Sequence, residues 1–97
     1  MNGIKIKELY ELISHWHEIE FEYNETTYVL QPEVNEQKTY LVIWNCTPGA
    51  EKCIAKHKIN VEGDISQCII DDVLSEKCFE GKSFKDIENK ITVTVIY

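Results

Sequence analysis

Four cysteines and three histidines are the side chains of this chain best suited to chemistry: Cys46, Cys53, Cys68 and Cys78, with His15, His17 and His57. A thiol needs an activating base in reach before it acts as a nucleophile. The cysteine spacings are C-x6-C, C-x14-C and C-x9-C, and none is the C-x2-C of zinc knuckles or redox motifs. Cys53 and His57 stand four apart, a spacing that puts them on one face of either a helix or a strand. Together with Cys46 they form a candidate metal set, that of a zinc-stabilised module. A disulfide between Cys46 and Cys53 across a hairpin is an alternative, although nothing in the sequence points to an oxidising compartment. The simplest reading is four reduced thiols, at least two of them filling core space. Cys68 falls on the apolar stripe of a predicted helix, where burial makes a thiol inert.

The remaining catalytic signals are thin. The glycines at 3, 49, 63 and 81 are isolated, so no phosphate-binding loop is present. His15 and His17 form an H-x-H, but His15 suits a helix C-terminus and His17 continues an apolar strand face. The chain therefore reads as non-enzymatic and without a cofactor. A thiol-dependent enzyme is the alternative.

Carboxylates supply the other constellation. Glu18, Glu20 and Glu22 alternate with His17, Ile19, Phe21 and Tyr23, which gives a half-buried strand one acidic face. Charge is unevenly distributed along the chain. Residues 1–36 hold eight Glu against two Lys, residues 37–61 one Glu against four Lys, and residues 62–97 eight acids against four Lys. The acidic stripe has two uses. It keeps a sheet edge soluble and unpaired, or it meets a basic protein partner, steered by charge. Lys52, Lys56 and Lys58 form an opposite patch, able to pair with the acidic one within the fold or in a neighbouring subunit. The net charge is −7 and no Arg is present. Clustered cations are needed to hold nucleic-acid backbone or anionic lipid, so direct binding to either is not expected.

These groups must be held by a single domain over residues 1–97. A chain of 11.3 kDa buries about 65% of its surface on folding. Ile6, Leu9, Tyr10 and Ile13 predict an amphipathic helix from Ile4 to Ser14. Strands follow at 17–23 and 26–30. Glu25 stands where a tight turn would want Gly, so a longer loop or bulge is expected between them. Pro32 is expected to end the second strand, with a polar turn over 33–38. Thr39–Cys46, apolar on both faces, predicts a central strand. Thr47-Pro48-Gly49-Ala50 fits a type II turn. The next strand places Cys53, Ala55, His57, Ile59 and Val61 on one face, with Ile54 as the exception. Asp64 and Gln67 suggest a capping box for a second helix, stopping near Gly81. Ser83 and Asp86 start a short third helix, and Ile91–Tyr97 closes the chain as a strand. The order α-β-β-β-β-α-α-β predicts an α+β fold, a two-layer domain with a mostly antiparallel sheet of about five strands and helices on one face.

The segment from Glu8 to Leu30, with His17-Glu18-Ile19-Glu20-Phe21-Glu22-Tyr23-Asn24 and then Thr27-Tyr28-Val29, resembles a recurring opening. It is that of small uncharacterised proteins of low-GC Gram-positive gut bacteria and their mobile elements. Gly81-Lys82-Ser83-Phe84-Lys85-Asp86-Ile87 is similar to the closing part of the same proteins. The resemblance covers about half of the chain. It implies a small α+β fold and brings no activity or functional residue with it.

The opening residues Met1–Lys5 lack the apolar core of a secretory signal, and no apolar run approaches the ~18 residues that span a bilayer. The expectation is a cytoplasmic monomer or small homo-oligomer. It is read as a protein-binding or inhibitor/immunity-type factor that engages a basic partner through Glu18, Glu20 and Glu22.

Overall fold

The computed structural model describes Gly3, residues 5–59 and residues 65–97, with the backbone only for Ile6. The elements are α1 (Ile6–Ser14), β1 (Ile19–Tyr23), β2 (Thr26–Asn35), β3 (Lys38–Asn45), β4 (Lys52–Ile59), α2 (Gln67–Ser75), α3 (Phe84–Ile87) and β5 (Thr92–Ile96). The strands form one antiparallel sheet in the order β4-β3-β2-β1-β5. The α+β class, the element order and the five strands agree with the sequence pattern.

One face of the sheet carries the core. Ile19 stands opposite Leu30, Leu30 opposite Ile43, and Ile43 opposite Ala55. All four are buried, in one cluster with Leu9 and Ile13 of α1, Ile70, Val73 and Leu74 of α2, and Phe84 and Ile87 of α3. Rings fill its centre. Phe21 stacks on Tyr28 at 5.5 Å, and Phe79 meets Tyr28 edge-on at 5.0 Å and Tyr23 at 6.4 Å. Phe79 belongs to no helix or strand. A small turn delivers it, with reciprocal backbone bonds to Lys82 at 2.9 and 3.0 Å across Glu80 and Gly81, both at positive φ. On the outside of the helices, Tyr10 of α1 donates to Asp71 of α2, and Lys85 of α3 sits 2.6 Å from the same carboxylate. That lysine, then the tyrosine, holds the Asp71 carboxyl below its usual range.

Several local expectations are corrected. Asn24 and Glu25 form a two-residue turn with φ of 48° and 64°, closed by the Tyr23–Thr26 pair. This is a type I′ turn without its usual Gly. Burying Ile19, Phe21 and Tyr23 on the core face fixes the register, and Glu25 takes the left-handed conformation at a cost of roughly 1 kcal/mol. Glu36 and Gln37 repeat the arrangement between β2 and β3, with φ of 52° and 66°.

Pro32 does not end β2. The Thr27 carbonyl accepts from Cys46 N–H at 2.8 Å, so the odd-numbered residues of β2 turn their backbone groups toward β3. Pro32, of the other parity, faces the β1 side, where pairing has already stopped at Ile19–Leu30. No ladder bond is lost by its missing N–H. β3 is interior but not central, since β2 holds that place. β1 is also interior, so its acidic stripe guards no edge. The edges are β4 and β5, and the lysine-rich strand is one of them.

α1 ends in a Schellman motif, with His17 N–H donating to Leu12 O and Trp16 N–H to Ile13 O, both at 3.0 Å. Trp16 takes the left-handed position at φ 68° that Gly usually fills. His17 lies before β1, its Nδ1 2.6 Å from the Tyr97 carbonyl. α2 is capped by Ser66, whose hydroxyl accepts from Ile69 N–H, and it stops at Ser75, not near Gly81. Ile4, Val61, Gly63 and Asp64 lie outside the described residues. Ser83 and Asp86 form the expected capping box on α3. Ala50 N–H donates to Thr47 O at 2.9 Å, with Gly49 at φ 79°, as a type II turn requires.

Two substitutions test this account by urea unfolding. Phe79→Ala is expected to lose about 3–5 kcal/mol, as for a ring within a core strand. Glu25→Gly is expected to gain about 0.5–1 kcal/mol by relieving the turn. A loss at Glu25→Gly contradicts the type I′ geometry.

Candidate functional site: the uncovered sheet face

Among the described residues, no helix lies on the sheet's second face. Pairing places Glu20 and Glu22 of β1, Thr27, Val29, Gln31 and Glu33 of β2, Tyr40, Val42 and Trp44 of β3, and Lys56 and Lys58 of β4 on this face. Its middle is not simply polar. Val42 is only 2% exposed although no described helix covers it. Its cover is Trp44. The Trp44 indole donates to Glu33 Oε2, and Gln31 Nε2 donates to the same oxygen at 2.7 Å. Trp44 stands opposite Val29, four residues before Glu33. To reach that carboxylate the indole must lie along the sheet, over Val42. Beside it the Lys56 ammonium sits 4.3 Å from the centre of the Tyr40 ring, a cation–π contact.

Two hollows flank this indole. One, of about 200 Å³, is lined by Glu33, Tyr40, Val42, Trp44, Cys53 and Lys56 among others. The second, of about 420 Å³, is lined by Val29, Gln31, Glu33, Trp44, Cys46 and Glu51. Trp44 and Glu33 line both.

The sequence-derived candidates divide on this map. Glu20 and Glu22 lie on the open face, half-buried and exposed respectively, and Glu18 precedes the strand in the same phase. The metal set does not assemble. A β-bulge lies between Ile43 and Trp44, so that Ile43 pairs with Ala55 and Trp44 with Cys53, leaving Ile54 extra. An extra residue reverses side-chain parity. Cys53 and Cys46 therefore sit on the open face, whereas His57, opposite Leu41, points to the helix side. There its Nε2 lies 2.6 Å from Glu76 at the end of α2. Among the described residues no three His, Cys, Asp or Glu side chains gather as a metal would need. Lys52, opposite Asn45, also falls on the helix-side register. The open-face lysines are Lys38, Lys56 and Lys58, and Lys38 was missing from the sequence-derived patch because only the β2–β3 register brings it there.

All four cysteines are free thiols, so the Cys46–Cys53 disulfide does not form. Cys68 is exposed, not buried: α2 turns Ile70, Val73 and Leu74 inward instead. Burial raises the Cys46 thiol, helped by Glu20 and Glu51. Burial also raises the Cys53 thiol, against a partly offsetting backbone hydrogen bond to Ala55. Cys78, packed on the core, is pushed up to about 11, by burial first and Glu76 second. Raised values withhold the thiolate, the opposite of activation. Set against protein-family profiles, characterised proteins and solved structures, the chain has no match. No described helix is long and apolar enough to cross a membrane.

Two measurements follow. Iodoacetamide at neutral pH is expected to label Cys68 first, with Cys46, Cys53 and Cys78 slower than free cysteine. A cysteine outpacing free cysteine contradicts this ordering. The Cys78 value lies above its usual 9.0, so unfolding releases its proton in alkali. Its share of stability is whole below about pH 9 and is lost as pH rises toward about 11. Cys78→Ala is expected to flatten the alkaline fall of the melting temperature. An unchanged slope contradicts the assigned burial.

Proposed function

We propose that this chain is a small non-catalytic binding protein whose working surface is the uncovered sheet face. The observation that carries the reading is one arrangement. A half-buried aromatic centre, Tyr40 and Trp44 around Val42, is flanked by carboxylates on β1 and lysines on β4. Contact surfaces place aromatic residues at the centre and charge at the rim. Charge at the rim sets orientation and association rate. The raised thiols of Cys46, Cys53 and Cys78 favour a binding role over thiol catalysis. The partner in this reading presents a basic surface to Glu18, Glu20 and Glu22, as an inhibitor or immunity-type factor of a mobile element would require. Four free thiols suit a reducing compartment, and the cytoplasm is the setting that we assign.

The test is capture on immobilised protein from a bacterial lysate supplemented with untagged copies of the chain. Wild type, a Glu18→Lys/Glu20→Lys/Glu22→Lys variant and Trp44→Ala are compared at low and high salt. Wild type is expected to retain a protein with a basic surface at low salt and release it at high salt. The charge-reversed variant is expected to retain none, and Trp44→Ala less than wild type. Identical retention by all three proteins contradicts the reading.

A further inference from the structure

We infer that the basic surface recognised by the open face is that of a second copy of this chain. The inference rests on the reading of that face as a binding surface and names its partner. Apart from Glu33, whose carboxylate is taken up by Gln31 and Trp44, the charges on the face are grouped. Lys58 and Lys56 stand opposite Tyr40 and Val42, and Lys38 stands opposite Asn35 at the adjacent turn. Glu20 and Glu22 stand opposite Val29 and Thr27, toward the other end of β2. Lys56 and Lys58 on β4 are three strand spacings from the β1 carboxylates across the sheet, roughly 14 Å, and Lys38 on β3 is two spacings away but farther along it. The two groups therefore occupy diagonally opposite corners, with Val29, Val42 and Trp44 between them.

That layout is self-complementary. A two-fold axis lying in the interface, across the diagonal, sets the lysine corner of each copy over the carboxylate corner of the other. The contact occurs twice, as in any isologous pair. The same rotation brings the aromatic centre of one copy onto that of the other. A foreign basic protein would match the carboxylates and leave the lysines facing like charge; a second copy matches both. Five strands at about 4.8 Å and about eight residues at about 3.3 Å give a face of roughly 600 Å². Two such faces bury roughly 1,200 Å², the lower bound of specific interfaces, which fits a reversible dimer.

Sedimentation equilibrium from micromolar to millimolar concentration tests this, with two charge-reversed variants. One carries Glu18→Lys, Glu20→Lys and Glu22→Lys; the other carries Lys38→Glu, Lys56→Glu and Lys58→Glu. Wild type is expected to dimerise, more weakly at high salt. Each variant alone is expected to dimerise at least about tenfold more weakly, since both corners then carry one sign. An equimolar mixture is expected to restore the dimer, because one variant is then positive at both corners and the other negative. Restoration also shows that both variants fold, and circular dichroism checks each one separately. A monomeric wild type throughout, variants that dimerise as wild type does, or folded variants that fail to complement each other overturn the inference. A monomeric wild type that still captures a foreign basic protein through Glu18, Glu20 and Glu22 removes the second copy and leaves the binding reading standing.

Discussion

The described helices, of nine, nine and four residues, cover one side of a five-stranded sheet and leave the other without one. That shortage organises the rest of the molecule. Except for Val42, the strands commit their buried residues to the side that the helices reach, and Phe79 completes the ring cluster from a turn. The other side has to hold apolar residues in water without a second layer. It does so with its own side chains: the Trp44 indole spans Val42 and is tied to Glu33, and Lys56 rests on Tyr40. Such a cover satisfies its hydrogen-bonding groups yet leaves a hollow on either side of the indole.

A single inserted residue decides which chemistry the molecule can assemble. Without the bulge at Ile54, Cys53 and His57 would share a face, although four residues along a strand still put roughly 13 Å between them. With it, Cys53 joins Trp44 on the open side, and His57 ties β4 to Glu76 at the end of α2. The same shift turns Lys52 away from the lysine group. Bulges commonly re-aim side chains in this way, and here the effect is to split the metal candidate and leave a charge-patterned open face.

Periodicity carried most of the fold. The alternation Ile19, Phe21, Tyr23 against Glu20 and Glu22 places β1 and its faces, and Ser83 with Asp86 marks α3. The parts that were hidden have local causes. Glu25 and Gln37 disguise type I′ turns because the hairpin registers outweigh the strain of a left-handed residue. Pro32 disguises a long strand because only the sheet order reveals that its N–H would have had no acceptor. Ile54 was visible as a break in the alternation, but a break alone does not say which neighbours change face. The acidic stripe was legible as residues and misjudged in position, since strand order is set by pairing that no local pattern encodes. Cys68 was misread because its helix starts at Gln67, and Ile70, Val73 and Leu74 define the buried stripe instead.

Charge separation across an otherwise apolar-centred face is what carries the binding reading proposed for this chain. The carboxylates of β1 and the lysines of β4 are far enough apart to leave each other unpaired, and the aromatic centre lies where an approaching surface would be desolvated first. The most direct measurement is a ¹⁵N and methyl NMR dilution series on the wild-type chain. If the open face is the contact surface, concentration-dependent shifts gather at Glu20, Glu22, Val29, Val42, Trp44, Lys56 and Lys58, while Cys68, Asp72 and the rest of the outer helix surface stay constant. Shifts confined to the helix side, or none at any concentration, would contradict the account of that face as the surface on which this chain meets its own copy.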